Sequence, residues 1–186
     1  MHVAIKIVDE EIEPMVGSVY GFRWWRVAAG GTLRSPWHGG HRWSSGFNDA
    51  RCLERRRYMP VWRSLGAHAA PDRRCSCGFY GLWAPPRVEQ QTWVWEVDAN
   101  SSGSSHGLLF GVVEVTGKIM LASEGFRAQF ARPVAVAIGA EVQPSPDVDA
   151  VAMRLPVRMY RSVDRLLERY GPAVQESRVL TFPRSA

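Results

Sequence analysis

Lysine is nearly missing from this chain. Only Lys6 and Lys118 occur among its 186 residues, so 21 of the 23 basic side chains are arginines. That skew most simply reflects a GC-rich genome, which weakens any argument that a given arginine was selected for its planar fork. Long apolar runs are also missing: nothing approaches the roughly 18 to 20 residues that a membrane helix needs. The first sixteen residues mix apolar side chains with Asp9, Glu10, Glu11 and Glu13. They lack the basic-then-apolar order of a secretory leader, so the expected location is the cytoplasm. Cysteine is scarce and odd in number, three residues in all, which argues against a disulfide framework. There is no Gly-x-Ser-x-Gly elbow, P-loop, His-Glu-x-x-His or dinucleotide glycine fingerprint. Glu96, Asp98, Glu114 and Glu124 are scattered over predicted strands and turns without an evident pairing. An enzyme is therefore the least favoured class.

What is present is enough for one core. An apolar content of 46% over this length suits a single domain covering residues 1–186. The charge is uneven: residues 17–90 carry twelve arginines against four acids, whereas residues 91–186 are balanced. All eight tryptophans lie between Trp24 and Trp95, so the basic segment is also the aromatic one.

Strand signals dominate. A first short strand is expected at 5–8. Tyr20-Gly-Phe-Arg-Trp-Trp-Arg-Val27, the turn Ala28-Ala-Gly-Gly31 and Thr32–Ser35 read as a hairpin, with Phe22, Trp24 and Arg26 on one face and Arg23 and Trp25 on the other. Residues 36–49 read as an ordered loop, because two tryptophans and a phenylalanine do not suit a disordered one. A short helix is expected within 53–65, and strands at 77–83 and 92–97. Asp98 to Gly107 is rich in Ser and Gly and reads as a mobile loop. Leu108–Val115 and Ile119–Ala122 suggest a second hairpin with its turn at Thr116-Gly-Lys118. A strand follows over 127–138, where Pro133 implies an edge or a bulge. Residues 140–150 read as a linker. Met159, Tyr160, Val163, Leu166, Leu167 and Tyr170 keep helical spacing up to a stop at Gly171-Pro172. A last short strand is expected at 178–182. Gly21-Phe-Arg23 recurs as Gly125-Phe-Arg127, too short a match to count as a repeat.

The chemistry concentrates in one window of 26 residues. Cys52, Cys75 and Cys77, the only cysteines, share it with His68. Three thiolates and an imidazole form the ligand set of a closed tetrahedral zinc site, and Gly78 lets the backbone turn tightly around an ion. The Cys-Ser-Cys gap is less usual than that of zinc knuckles, and the competing reading is three unrelated thiols, one of them a small buried hydrophobe. Zinc is the first choice of ion, with an iron–sulfur cluster second. Cys52 and His68 could alternatively pair as thiolate and imidazole. His38-Gly-Gly-His41 could bind metal or phosphate, although an inert surface loop accounts for it more simply.

Several of these stretches resemble a family of uncharacterised proteins from actinobacteria and their phages. They are Tyr20 to Val27 with Leu33-Arg-Ser-Pro36, Ala50-Arg-Cys52, His68-Ala-Ala-Pro71, Cys75-Ser-Cys-Gly-Phe-Tyr80, Gly111 to Lys118 and Glu124-Gly-Phe-Arg-Ala128. The resemblance covers roughly residues 19–138 and rests mostly on the His and Cys positions. It implies a metal site and a bacterial or phage setting, and it carries over no catalytic residue.

The expected architecture is α+β: a strongly bent antiparallel sheet or small, partly open barrel, one C-terminal helix, and an inserted metal-binding loop region. Two functions fit. In the first, a nucleic-acid-associated or regulatory module uses Arg23, Trp25, Arg26, Arg34, Arg42, Arg55, Arg56 and Arg57 to neutralise phosphates and stack on bases. In the second, the same aromatic and basic surface docks on a partner protein. Tryptophans in strands are more often core than platform, and no established nucleic-acid motif is present.

Overall fold

Two long strands organise the chain. In the computed structural model, which describes residues 10–12, 18–36, 41–52, 68–85, 107–138 and 145–181, β6 (Leu108–Ala122) and β7 (Gly125–Ala137) form an antiparallel hairpin. Every residue from Leu108 to Val115 is buried, so both faces of this strand are covered and its near-continuous apolar text follows. Around the hairpin lie β1 (Glu10–Ile12), β2 (Val19–Ala28), β3 (Thr32–Arg34), β4 (Asn48–Asp49), β5 (Phe79–Leu82) and β8 (Arg158–Tyr160). β6 pairs with β2 and, beyond its bend, with β1; β7 pairs with β5, β4 and β8. β5 also touches β2 at Phe22 and Leu82, which turns the sheet partly back on itself. Among the described residues the result is a bent, partly ring-like, mostly antiparallel sheet, with β8 alongside β7 in parallel, and two helices: an α+β fold.

Closure of that ring depends on missing side chains. The Phe126 ring lies where Cβ atoms on Gly21 and Gly81 would sit, 2.5 Å and 2.3 Å away. It is held there against Trp83, with ring centroids 4.9 Å apart. The faces of β2 follow the expected alternation. Phe22 and Trp24 meet Phe110 on one side, and on the other Trp25 meets Trp43 edge-on.

The expected turn at Thr116-Gly-Lys118 is a bulge. β6 runs through it with a register shift, Gly117 adopts φ +77°, and the hairpin reverses at Ser123 and Glu124 instead. One glycine signal serves either purpose, because both need a positive φ. Pro133 does sit beside a bulge: Val112 pairs with Ala135 and Val113 with Pro133, leaving Val134 as the extra residue.

The C-terminal region also differs from expectation. Starting inside the expected linker and running beyond it, Pro146–Arg154 forms helix α1, its first turn capped by the Ser145 hydroxyl accepting from the Val148 amide at 3.3 Å. Ser-Pro-Asp is a helix start signal when apolar Val148 and Val151 follow to be buried. Helix α2 spans Val163–Thr181. It passes through Gly171-Pro172 and replaces the expected last strand. Glu168 and Pro172 are exposed, so water can satisfy the carbonyl that Pro172 cannot. Buried Leu166, Val174 and Ser177 hold the opposite side, and Ser177 Oγ accepts from the Tyr20 amide at 3.0 Å. The elements expected at 5–8, 53–65 and 92–97, and the 98–107 loop apart from Gly107, lie outside the described residues.

Candidate metal centre

Two segments distant in sequence are fastened to the same stretch of β7. The first arrives through β4, where Asn48 Nδ2 donates to the Ala131 carbonyl at 3.1 Å and the Ala50 amide donates to Gln129 at 2.8 Å. Cys52 follows two residues later. The second begins at His68 and passes a cis Ala70–Pro71 bond. There the Asp72 carboxylate accepts from the Arg74 amide at 2.8 Å, while the Asp72 carbonyl accepts from the Cys75 amide at 3.2 Å. This tight turn presents Cys75 and Cys77. Gly78, at φ +121°, then feeds the chain into β5, where a Cβ would stand 3.1 Å from both Pro71 and Arg127.

The four side chains converge. One ligand atom from each of Cys52, His68, Cys75 and Cys77 lies within 4.8 Å of all the others. The sulfurs of Cys52 and Cys75 are 3.4 Å apart, and Cys77 Sγ lies 3.4 Å from His68 Nε2. For comparison, a tetrahedral ion with metal–sulfur bonds of about 2.3 Å sets its sulfurs about 3.8 Å apart. Cys75 is buried and the other three are partly buried. Burial pushes the Cys77 thiol up from its ordinary range, opposed by hydrogen bonds from Cys75 and the backbone of Asp72. A nearby cation would favour its thiolate form.

Beneath the cluster lies Arg127, only 3% exposed. Its guanidinium donates to the carbonyls of Asp72 at 3.3 Å, Cys75, and Cys77 at 3.2 Å. Arg23 performs the same task further along, donating to the Tyr80 carbonyl at 2.6 Å and to Ser35 Oγ at 2.8 Å. The two Gly-Phe-Arg triplets thus flank β5 from either side, each sending a buried arginine into the backbone of 72–80. As sequence the triplet is too short to carry weight; its role emerges only where the fold brings both copies to β5.

The residues expected to touch a partner divide three ways. Trp25 is completely buried in the core and cannot stack on a base. Arg23 is 6% exposed, packs 4.9 Å over the Trp43 ring and has its pKa lowered by burial to about 9; it is internal scaffolding. Arg34 and Arg42 are exposed and Arg26 is partly so. Arg55, Arg56 and Arg57 lie outside the described residues, as does His38. His41 packs edge-on against Trp43 and Phe79, so it belongs to an aromatic cluster and not to a ligand loop.

No family model matches the chain, and comparison with curated proteins and with solved structures also returns no match. Fold and site alone therefore define the class: an α+β protein with a bent, mostly antiparallel sheet and a Cys₃His group able to hold a metal ion. Among the described residues no helix is long and apolar enough to cross a membrane.

Proposed function

We propose that Cys52, His68, Cys75 and Cys77 bind one zinc ion as a structural staple, and that the stapled domain is a nucleic-acid-binding module. The carrying observation is the mutual approach of four ligand atoms within 4.8 Å. Four protein ligands complete a tetrahedral shell and leave no position open for substrate, which is the pattern of structural and not catalytic zinc. The spacing also suits one ion better than a cluster of several irons, whose cysteine sulfurs stand farther apart. Charge supports the same reading. Three thiolates and a neutral imidazole around a divalent ion leave one net negative charge, and among the described residues Arg127 has no carboxylate partner. The metal centre supplies that buried cation with a counter-charge.

The staple joins a strand-anchored arm at Cys52 to a turn at His68–Cys77, where regular structure is thin. The nucleic-acid reading rests on the exposed arginines Arg34 and Arg42, beside the partly exposed Arg26. Cobalt substitution tests the first part: intense visible bands from tetrahedral cobalt–thiolate coordination are expected, and octahedral-type weak bands would oppose it. Salt tests the second. Binding to a single-stranded oligonucleotide should weaken steeply between low and physiological salt, whereas an anchor-driven protein interface weakens mildly.

A further inference from the structure

A second site lies between β3, residues 41–45 and the end of α1. A recess of about 200 Å³ opens there, walled by Arg42 and Arg154, with Thr32, Ser44 and Ser45 at its sides and buried Trp43 at its floor. No carboxylate lines it. The volume falls below the roughly 300–1,000 Å³ of pockets for drug-sized ligands, so the recess has room only for a small group.

The surrounding register concentrates positive charge. Arg26 on β2 is paired with Arg34 on β3, and Arg34 is paired in turn with Arg42. Directly opposed residues share a face with Cβ atoms about 4.5–5.5 Å apart, and like charges so placed repel. Arg42, though exposed, reaches across to Thr32, Nη2 donating to Thr32 Oγ1 at 3.3 Å. Arg154 crosses the β2–β3 turn from the other side, where a Cβ on Gly30 would lie 3.0 Å from its Nη2. Among the described residues neither Arg42 nor Arg154 forms an ion pair, and the acid beside them, Asp147, has its carboxylate accepting from the Gly30 amide over which Arg154 lies. The carbonyl end of α1 opposes an anion, but its partial charge is smaller than the full charge of Arg154.

We propose that this recess binds a phosphate group, held by the forks of Arg42 and Arg154 and by the Ser44 and Ser45 hydroxyls, with Arg34 as the neighbouring cation. Guanidinium forks match the oxygens of phosphate bidentately, and hydroxyls add donors without charge. An anion here also relieves the repulsion between the opposed Arg34 and Arg42. The inference deepens the nucleic-acid reading by naming the group recognised; a free phosphomonoester presents the same chemistry, and the test separates the two sources.

Titration calorimetry on the full chain with inorganic phosphate, and separately with a single-stranded oligonucleotide, provides the test. Saturable phosphate binding is expected at millimolar concentration, weakened at least about tenfold in Arg42→Gln/Arg154→Gln. Ser45→Leu keeps every charge and fills the recess, so it should also abolish binding. Arg165→Gln/Arg169→Gln removes equal charge from exposed α2 positions and should change the affinity little. If phosphate binds this way and the oligonucleotide does not, the site stands and the nucleic-acid reading falls. If the oligonucleotide binds wild type and Arg42→Gln/Arg154→Gln equally, the nucleic-acid reading stands and the site falls. Absence of saturable phosphate binding also overturns the site.

Discussion

Arg127 donates a hydrogen bond to the main-chain carbonyl of Cys75 across 52 residues of sequence. A buried arginine on β7 is thereby joined to the backbone of the turn that carries Cys75 and Cys77. Loss of this side chain leaves three carbonyls to find other partners, so Arg127→Met should destabilise the protein by about 3 kcal/mol or more. Arg127→Lys should recover only part, because an ammonium cannot span three acceptors as the fork does. Urea unfolding measures both. A change in Arg127→Met below about 0.5 kcal/mol, the range of ordinary surface substitutions, would show that the contact holds nothing in place.

Closure of the ring at β5 makes Gly81 sensitive. A Cβ there would lie 2.3 Å from the Phe126 ring. Gly81→Ala should cost about 1–3 kcal/mol through overpacking, and Phe126→Leu on that background should cost less than it does alone. Additive effects in a double-mutant cycle would place Phe126 elsewhere.

Burial lowers the pKa of His41, and the hydrogen bond its ring donates to Asn48 Oδ1 only partly opposes this. The neutral ring is thus favoured by folding. Its contribution to stability is complete above the unfolded value of about 6.5 and is lost as pH falls towards the lower folded value. Urea midpoints at pH 8 and pH 5 should therefore differ more in wild type than in His41→Phe. Equal differences would mean that His41 titrates as an exposed residue.

Pro172 lies inside α2. Replacing it with alanine restores a helical amide, and Pro172→Ala should stabilise by about 1–3 kcal/mol. Were the helix to end at Gly171, as the Gly-Pro pair alone implies, the same change would be nearly neutral.

Much of this is legible in the sequence, for physical reasons that can be named. The hairpin of β2 and β3 announces itself through aromatic strand formers around Gly30 and Gly31. The ligand group is visible because three thiols and an imidazole gathered in one short window form a donor set that packing alone rarely demands. The bulge at Gly117 is not legible, since a positive φ suits turn and bulge alike. Helix α2 outlasts its stop signal because burial of Val174 and Ser177 outweighs a local propensity. Trp25 and Arg23 read as outward contacts because composition cannot tell an arginine over a core tryptophan from one over a base. Arg154 carries no signal of its own, because its meaning comes from α1 packing beside Arg42, a contact that spacing does not encode.

Metal content of the untagged, reduced protein tests the central claim most directly. Elemental analysis should find about one zinc per chain, lost together with folding in Cys75→Ser and on exhaustive chelation. Protein that contains no metal, yet folds with all three thiols free and unfolds identically with and without chelator, would contradict the account.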